Sequence, residues 1–306
     1  QKTGMKTSYP ILDPRARDMD ARRDGRKKCA LAMMIKAPRA GESKTRLVPP
    51  LTHEEAAGLS VAFLRDTAAN IAGACAEQAE GVGAADAFAA YTPRGAESAF
   101  DDLLPREFAL LPQRGDSFGE RLFYAADDLL RLGYESCCLI DSDSPTLPRA
   151  LLKAAIAELG RPGERLVLGA ADDGGYYLIG MRRAHRRLFE EIDWSTSEVA
   201  AQTIARAREI NLDVALLPAW YDVDDGASLR RLCVELCDTP REDESGLSHS
   251  GDEQACDMPL APYPATHTRA ALARLLEGEA RARIGIEARE AAQAAAAATA
   301  EEEGGA

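Results

Sequence analysis

The chain lacks any run of about 18 apolar residues, so no membrane-spanning helix is expected. It has only four histidines, and no Cys/His spacing suits a zinc site. Its seven cysteines are unpatterned, with Cys137 and Cys138 adjacent in an apolar stretch. That usage reads as reduced thiols of a cytoplasmic protein. Positive charge is also short. The 37 Lys and Arg face 50 Asp and Glu, for a net charge of −13. This argues against non-specific binding to nucleic acid or anionic lipid. The opening "QKTGMKTSYPILDP" has no apolar secretory core, and Met5 reads as the native start. No Ser-His-Asp order or Cys-His pair stands out, which leaves nucleophilic hydrolysis without support.

What is present suits one large domain with tails. The chain has 306 residues, 46% of them hydrophobic. Residues 1–28 read as a flexible basic segment, 29–237 as the catalytic domain, 238–265 as a linker and 266–306 as a helical, Ala-rich acidic tail, exposed rather than part of a core. "CALAMMIK" reads as a buried strand. The stretch 52–74 reads as a helix with a Thr52/Glu55 capping box. Strands are expected at 85–93 and 108–115, a helix at 118–133, and a central strand ending in "CCLID". A helix at 147–159, two strands within 165–181 split by "ADDGG", a helix at 197–211, a strand at 213–225 and a short helix complete the series. Strands alternating with helices imply a mainly parallel α/β sheet covered on both faces.

Ligands of such sheets bind beyond the carboxyl ends of the strands, where four polar segments would gather. In "KAPRAGESKTRL", Lys36, Arg39, Lys44 and Arg46 supply charge, while Pro38 and Gly41 shape a tight loop. Cations and free amides can hold a phosphate chain; a solvated basic loop explains the segment equally well, and the P-loop spacing is absent. In "PQRGDSFGERL", Gln113 suits a base edge, Arg114 a phosphate, and Gly115 close backbone approach. The same stretch also serves as a helix N-cap, the better-supported use.

The third segment, "LIDSDSPTLP", places Asp141 and Asp143 after a strand. In extended chain the two carboxylates share one side, and hard oxygens suit a nucleotide-bound divalent cation. A simple acidic turn is the alternative. The fourth comprises "ADDGGYYLIG" and "WYDVDDGASL". Asp173 precedes Gly174 and Gly175, Tyr176 could face a sugar, Tyr177 fits the core, and Asp222 and Asp224 repeat the acid pair. Trp194 in "DWSTSEV" is a candidate stacking or acceptor-binding residue, although Ser195 or Thr196 as a helix cap accounts for that segment.

"KAPRAGESKTRLVPPLTHEEAAGL", "QRGDSFGERL", "IDSDSPTLP", "DDGGYYLIG" and "YDVDDGASL" in this order resemble bacterial nucleotide-diphospho-sugar transferases, including glycosyltransferases of arsenosugar clusters. The resemblance covers about 29–237. It implies the GT-A fold, a Rossmann-like α/β/α sandwich related to molybdenum-cofactor and 2-phospho-L-lactate guanylyltransferases. It implies that Lys36, Gly41, Lys44 and Arg46 form the nucleotide-phosphate loop. It gives Asp143, two residues before Pro145, the metal role, with Asp224 sharing it. Asp141, where many relatives carry Gly, becomes at most a helper. Asp173, Gly174 and Gly175 match the acceptor or sugar segment, with Asp173 a candidate base.

The expected function is metal-dependent glycosyl transfer from a nucleotide-diphospho-sugar to a small-molecule acceptor, with Mg2+ or Mn2+ as cofactor. The alternatives are nucleotidyl transfer from an NTP with pyrophosphate release, and a non-catalytic nucleotide-binding module. A homodimer is a candidate assembly.

Overall fold

The computed structural model describes residues 9–15, 28–77, 84–237 and 260–286. Seven strands form one sheet: β1 (Cys29–Lys36), β2 (Ala85–Thr92), β3 (Ala109–Pro112), β4 (Ser136–Ile140), β5 (Arg165–Ala171), β6 (Tyr176–Met181) and β7 (Asp213–Trp220). Their order is β3-β2-β1-β4-β6-β5-β7. Only β6 runs antiparallel to its neighbours β4 and β5. β1 pairs along its whole length with β2, from Cys29 opposite Ala85 to Lys36 opposite Thr92.

Both faces of β1 are buried. Cys29, Leu31, Met33 and Ile35 enter one core, while Ala30 and Ala32 enter the other. A continuous apolar run is what a strand covered on both faces requires. Helices α1 (His53–Glu77) and α3 (Arg149–Gly160) pack on the first face. Helices α2 (Phe118–Arg131) and α4 (Val199–Glu209) pack on the second. The result is the expected Rossmann-like α/β/α sandwich.

Local signals act as anticipated at two helix starts. Thr52 Oγ1 accepts from Glu55 N, and the Glu55 carboxylate accepts from Thr52 N. Ser117 and Glu120 form the same reciprocal box at α2. At α4 neither Ser195 nor Thr196 is the cap. Glu198 occupies that position without a side-chain bond, and Ser195 has a left-handed φ of 66°.

Three expectations change. The stretch 213–225 is a strand only to Trp220; Tyr221–Asp225 leave the sheet, and the Asp222/Asp224 pair lies in a loop. Residues at the start of the basic segment are not all a loose lead-in. Tyr9 is buried, and Leu110 of β3 donates its N–H to Pro10 O and accepts from Leu12 N. Edge strand β3 otherwise has unpaired backbone groups, which this segment satisfies.

The tail also contributes to a core. Helices α5 (Gly226–Cys237), α6 (Thr266–Leu276) and α7 (Ala280–Ile284) close a third cluster over the first half of α1. Leu59 and Phe63 meet Leu229, Leu232, Leu272 and Ile284 there. The Ala-rich stretch 287–306 lies outside the described residues, as do 1–8, 16–27 and most of the expected linker.

The cap of α6 comes from a distant residue. Ala265, its N-cap, has no side-chain oxygen, and the fully buried Asp66 of α1 accepts from His267 N (3.1 Å) and Thr268 N (2.6 Å). A carboxylate at a helix N-terminus satisfies orphan donors and opposes the helix dipole. Asp66→Ala should therefore destabilise the protein by about 2 kcal/mol in denaturant unfolding, with Asp66→Asn costing less. Equal stability of Asp66→Ala and the unaltered protein would remove this cap from the account of the fold.

Candidate functional site

The loop after β1 turns at Gly41, where φ is 78°. Ser43 Oγ accepts from Arg39 N at 3.0 Å and closes it. Lys44 follows in the left-handed region, with φ 50°, a conformation that costs a non-glycine residue free energy and is met most often at functional sites. Its side chain is only 6% exposed.

The ammonium lies between the two acidic loops. Lys44 Nζ is 2.9 Å from Asp143 Oδ1 and 2.7 Å from Asp224 Oδ1. It also donates to Val223 O at 2.8 Å. The loops are tied to each other, since Val223 N donates to Asp143 O at 2.9 Å. Burial acts to lower the Lys44 pKa, but Asp143 and Asp224 outweigh it and the value is raised. A cavity of about 230 Å³ opens here, lined by Lys36, Arg46, Ser142 and the triad itself. It lies beyond the carboxyl ends of β1 and β4, where open α/β sheets place ligands.

Asp141 does not join the two metal candidates. Residues 141–145 form a bend rather than extended chain, so the two-residue alternation of a strand does not apply. Asp141 Oδ2 accepts from Ser144 Oγ at 2.8 Å, and Oδ1 is buried without a hydrogen-bond partner. Burial, followed by the charge of Asp143, pushes its pKa well up. Among the described residues no three His, Cys, Asp or Glu converge as a metal cage. Asp143 and Asp224 nevertheless suit a hard cation, because their oxygens already converge on one positive group, the Lys44 ammonium. Asp222 is half-buried beside them. Burial, then the charges of Asp224 and Asp173, push it up to about 7.

The second expected segment serves the fold. Arg114 is bound bidentately to Asp128 of α2, at 2.8 Å to each oxygen, with Tyr124 beneath its guanidinium. The adjacent aspartates Asp127 and Asp128, nearly three turns into α2, have taken the arginine that was expected to meet a phosphate. Gln113 Nε2 donates to Ala90 O and Ile35 O, strapping the ends of β2 and β1. At Gly115, φ 107°, a Cβ would come within 2.7 Å of Glu120 Cβ, so the glycine lets the chain enter α2.

The "DGG" turn joins β5 to β6. Asp173 is exposed, and its Oδ1 accepts from Gly175 N at 2.8 Å. Gly174, φ 91°, presses on the backbone of Ser197, and its carbonyl accepts from Ala200 N. Tyr176 does not face a sugar site, since its ring packs in the second core and its hydroxyl is buried without a partner. Tyr177 is core, as expected. Trp194 lies over Gly119 and meets Phe118 edge-on at 4.9 Å. Lys36 and Arg46 are half-exposed or more at the cavity, with Lys36 paired to Glu42 and Arg46 to Asp224. Pro38 is partly buried in the same loop. Sequence reasoning passed over Glu42 and the Val223 carbonyl, for a backbone acceptor leaves no side-chain signal.

A family model described as uncharacterized protein conserved in bacteria (DUF2064) matches residues 75–196. A crystal structure from Desulfovibrio desulfuricans, provisionally named a nucleotide-diphospho-sugar transferase, is 26% identical with a TM-score of 0.64, covering 85% of this chain and 97% of its own. A CMP:2-keto-3-deoxy-manno-octonic acid synthetase complexed with CTP is 11% identical with a TM-score of 0.44, over 69% of this chain and 99% of its own. A 4-diphosphocytidyl-2C-methyl-D-erythritol synthase from Anaerococcus prevotii is 10% identical with a TM-score of 0.41, over 69% and 97%. No curated protein matches.

The glycines of the site separate by what a side chain would meet. A Cβ on Gly174 would lie 2.1 Å from Ser197 O, whereas one on Gly41 meets nothing within 4 Å. Gly174→Ala should cost about 2 kcal/mol or more, and Gly41→Ala about 1 kcal/mol, the conformational cost alone. Thermal unfolding of both variants checks the ranking, and equal costs would contradict the close approach at Gly174.

Proposed function

We propose that this chain is a metal-dependent glycosyltransferase that takes a nucleotide-diphospho-sugar donor and a small-molecule acceptor. The observation that carries the reading is the buried Lys44 ammonium held between Asp143 and Asp224 at the mouth of a polar cavity. The likeness to the D. desulfuricans protein, spanning most of both chains, supports it.

The charges of the cavity favour a metal requirement. Lys36, Lys44 and Arg46 face Glu42, Asp143 and Asp224 along its wall, so the lining brings no net positive charge. A diphosphate entering such a site needs a further cation to be held. Mg2+ or Mn2+ between Asp143 and Asp224 would supply it and stabilise charge on the leaving diphosphate. Lys44, already desolvated at the cavity wall, is placed to exchange its carboxylate partners for a phosphate oxygen. Arg46 and Lys36, nearer solvent, assist from the rim. Asp173, in the exposed turn between β5 and β6, is the candidate base.

The same carboxylate oxygens cannot serve Lys44 and a metal ion equally. Nucleotide phosphate should draw the ammonium away and release them. Lys44→Ala should thus bind Mn2+ at least tenfold more tightly than the unaltered protein without nucleotide, and bind UDP, GDP or CDP at least tenfold more weakly. Calorimetry with each nucleotide, with and without Mn2+, reads both effects. Asp143→Ala should abolish the metal-dependent part. Metal-dependent hydrolysis of a nucleotide sugar supports the proposed reaction. Pyrophosphate release from an NTP and a phosphorylated acid would make the chain a nucleotidyltransferase instead. If no nucleotide binds, or Asp143→Ala retains metal-dependent binding, the site assignment fails.

A further inference from the structure

A second, larger cavity of about 670 Å³ lies beside the start of α2. Phe123, Phe189, Ile192 and Trp194 supply its apolar wall, and Arg186 and Arg187 reach it from the segment after β6. Trp194 is braced from two sides. Phe118, 45% exposed, meets it edge-on, and Gly119 lies so close that a Cβ there would be 3.0 Å from the indole.

The lining sets Arg186 and Arg187 against Asp116, Glu120, Glu190 and Glu191, and these groups are unequally engaged. Arg187 is neutralised, at 2.8 Å from Glu191 and 2.6 Å from Glu209. Glu120 is held by the capping box, accepting from Asp116 N and Ser117 N. Arg186 has no ion pair within 4 Å among the described residues, though its hydrogen bond to Tyr124 and then the nearby Glu190 and Glu120 carboxylates raise its pKa. Its guanidinium lies 4.3 Å from the Phe123 ring centroid and donates only to Tyr124 Oη at 3.2 Å. Stacking on aromatic faces fixes the plane of a guanidinium while leaving its remaining donors open, the arrangement that receives a phosphate or carboxylate in a fork.

The cavity is tied to the first site through the chain. Trp194 and Ser197 belong to one short loop, and the Ser197 backbone packs on Gly174 of the turn that carries Asp173. A molecule against Trp194 therefore lies on the loop that braces the candidate base.

We propose that this cavity is the acceptor subsite and takes a small molecule with a carbon ring and one oxyanionic group, the ring against Trp194 and the oxyanion on Arg186. The acceptor role rests on the transferase reading above. The braced Trp194 offers an apolar surface for ring C–H groups, and Arg186 is the arginine of the lining without an ion pair among the described residues. Neither group depends on Lys44, Asp143 or Asp224.

The protein has two tryptophans, so Trp220→Phe isolates Trp194 fluorescence. Calorimetry on the unaltered chain gives the same constants should that variant fold poorly. Glucose 6-phosphate, glucuronate, glucose and inorganic phosphate are the probes. At least one of the two anionic sugars should bind at least tenfold more tightly than glucose and than phosphate, and quench Trp194. Arg186→Gln should erase that preference, and Trp194→Leu should weaken the anionic sugars by about tenfold, while both variants keep the nucleotide affinity of the unaltered protein. Failure of both anionic sugars to bind, or binding unchanged in Arg186→Gln, overturns the subsite. Sugar binding that follows this pattern without any nucleotide binding overturns the transferase reading, and the acceptor role with it, but leaves the ligand site.

Discussion

The contact on which the site depends is the Lys44 ammonium between two carboxylates and a carbonyl. A lysine that is 6% exposed cannot rely on water for its charge. It needs partners whose attraction exceeds its own desolvation. Asp143 and Asp224 meet that need, and in doing so they draw together loops that follow β4 and β7, with Val223 N to Asp143 O as the backbone clasp. The strained backbone of Lys44 is tolerated because the side chain it positions has three bonds to make. One cation thus organises three chain segments.

The sheet around this contact is arranged to hold it steady. β1 and β4 are adjacent and buried on both faces, so the loops leaving them start from rigid positions. The third cluster secures the other side. Phe63 of α1 sits 5.6 Å beneath Lys44 and is packed by residues of α5 and α6. Helices α6 and α7 are therefore structural support for the lysine loop. Their composition conceals this, because they contribute only a few large apolar residues, all facing one patch.

Much of the architecture was legible along the chain. Apolar runs marked the buried strands, and the Thr52/Glu55 spacing and the polar cap before α2 marked helix starts because capping partners are local. The "ADDGG" break between β5 and β6 was legible for the same reason. The site was legible in part. Lys44, Asp143 and Asp224 could be named as candidates from residue type and position after strands. Their convergence on one another could not, since Lys44 and Asp224 are 180 residues apart.

The residues that departed from expectation did so through distant partners. Arg114 has the chemistry to bind a phosphate, but Asp128 and Tyr124 hold it against α2. Tyr176 has a hydroxyl fit for a sugar, but the pleat of β6 sends its ring into the second core. Asp66 caps a helix some 200 residues downstream. Sequence by itself determined which segments are strands and helices and which polar side chains end them, because periodicity, caps and turns act over a few residues. Only the tertiary structure decided which of those side chains face a ligand and which face each other, because a charge is committed to whichever partner the fold brings within about 3 Å of it.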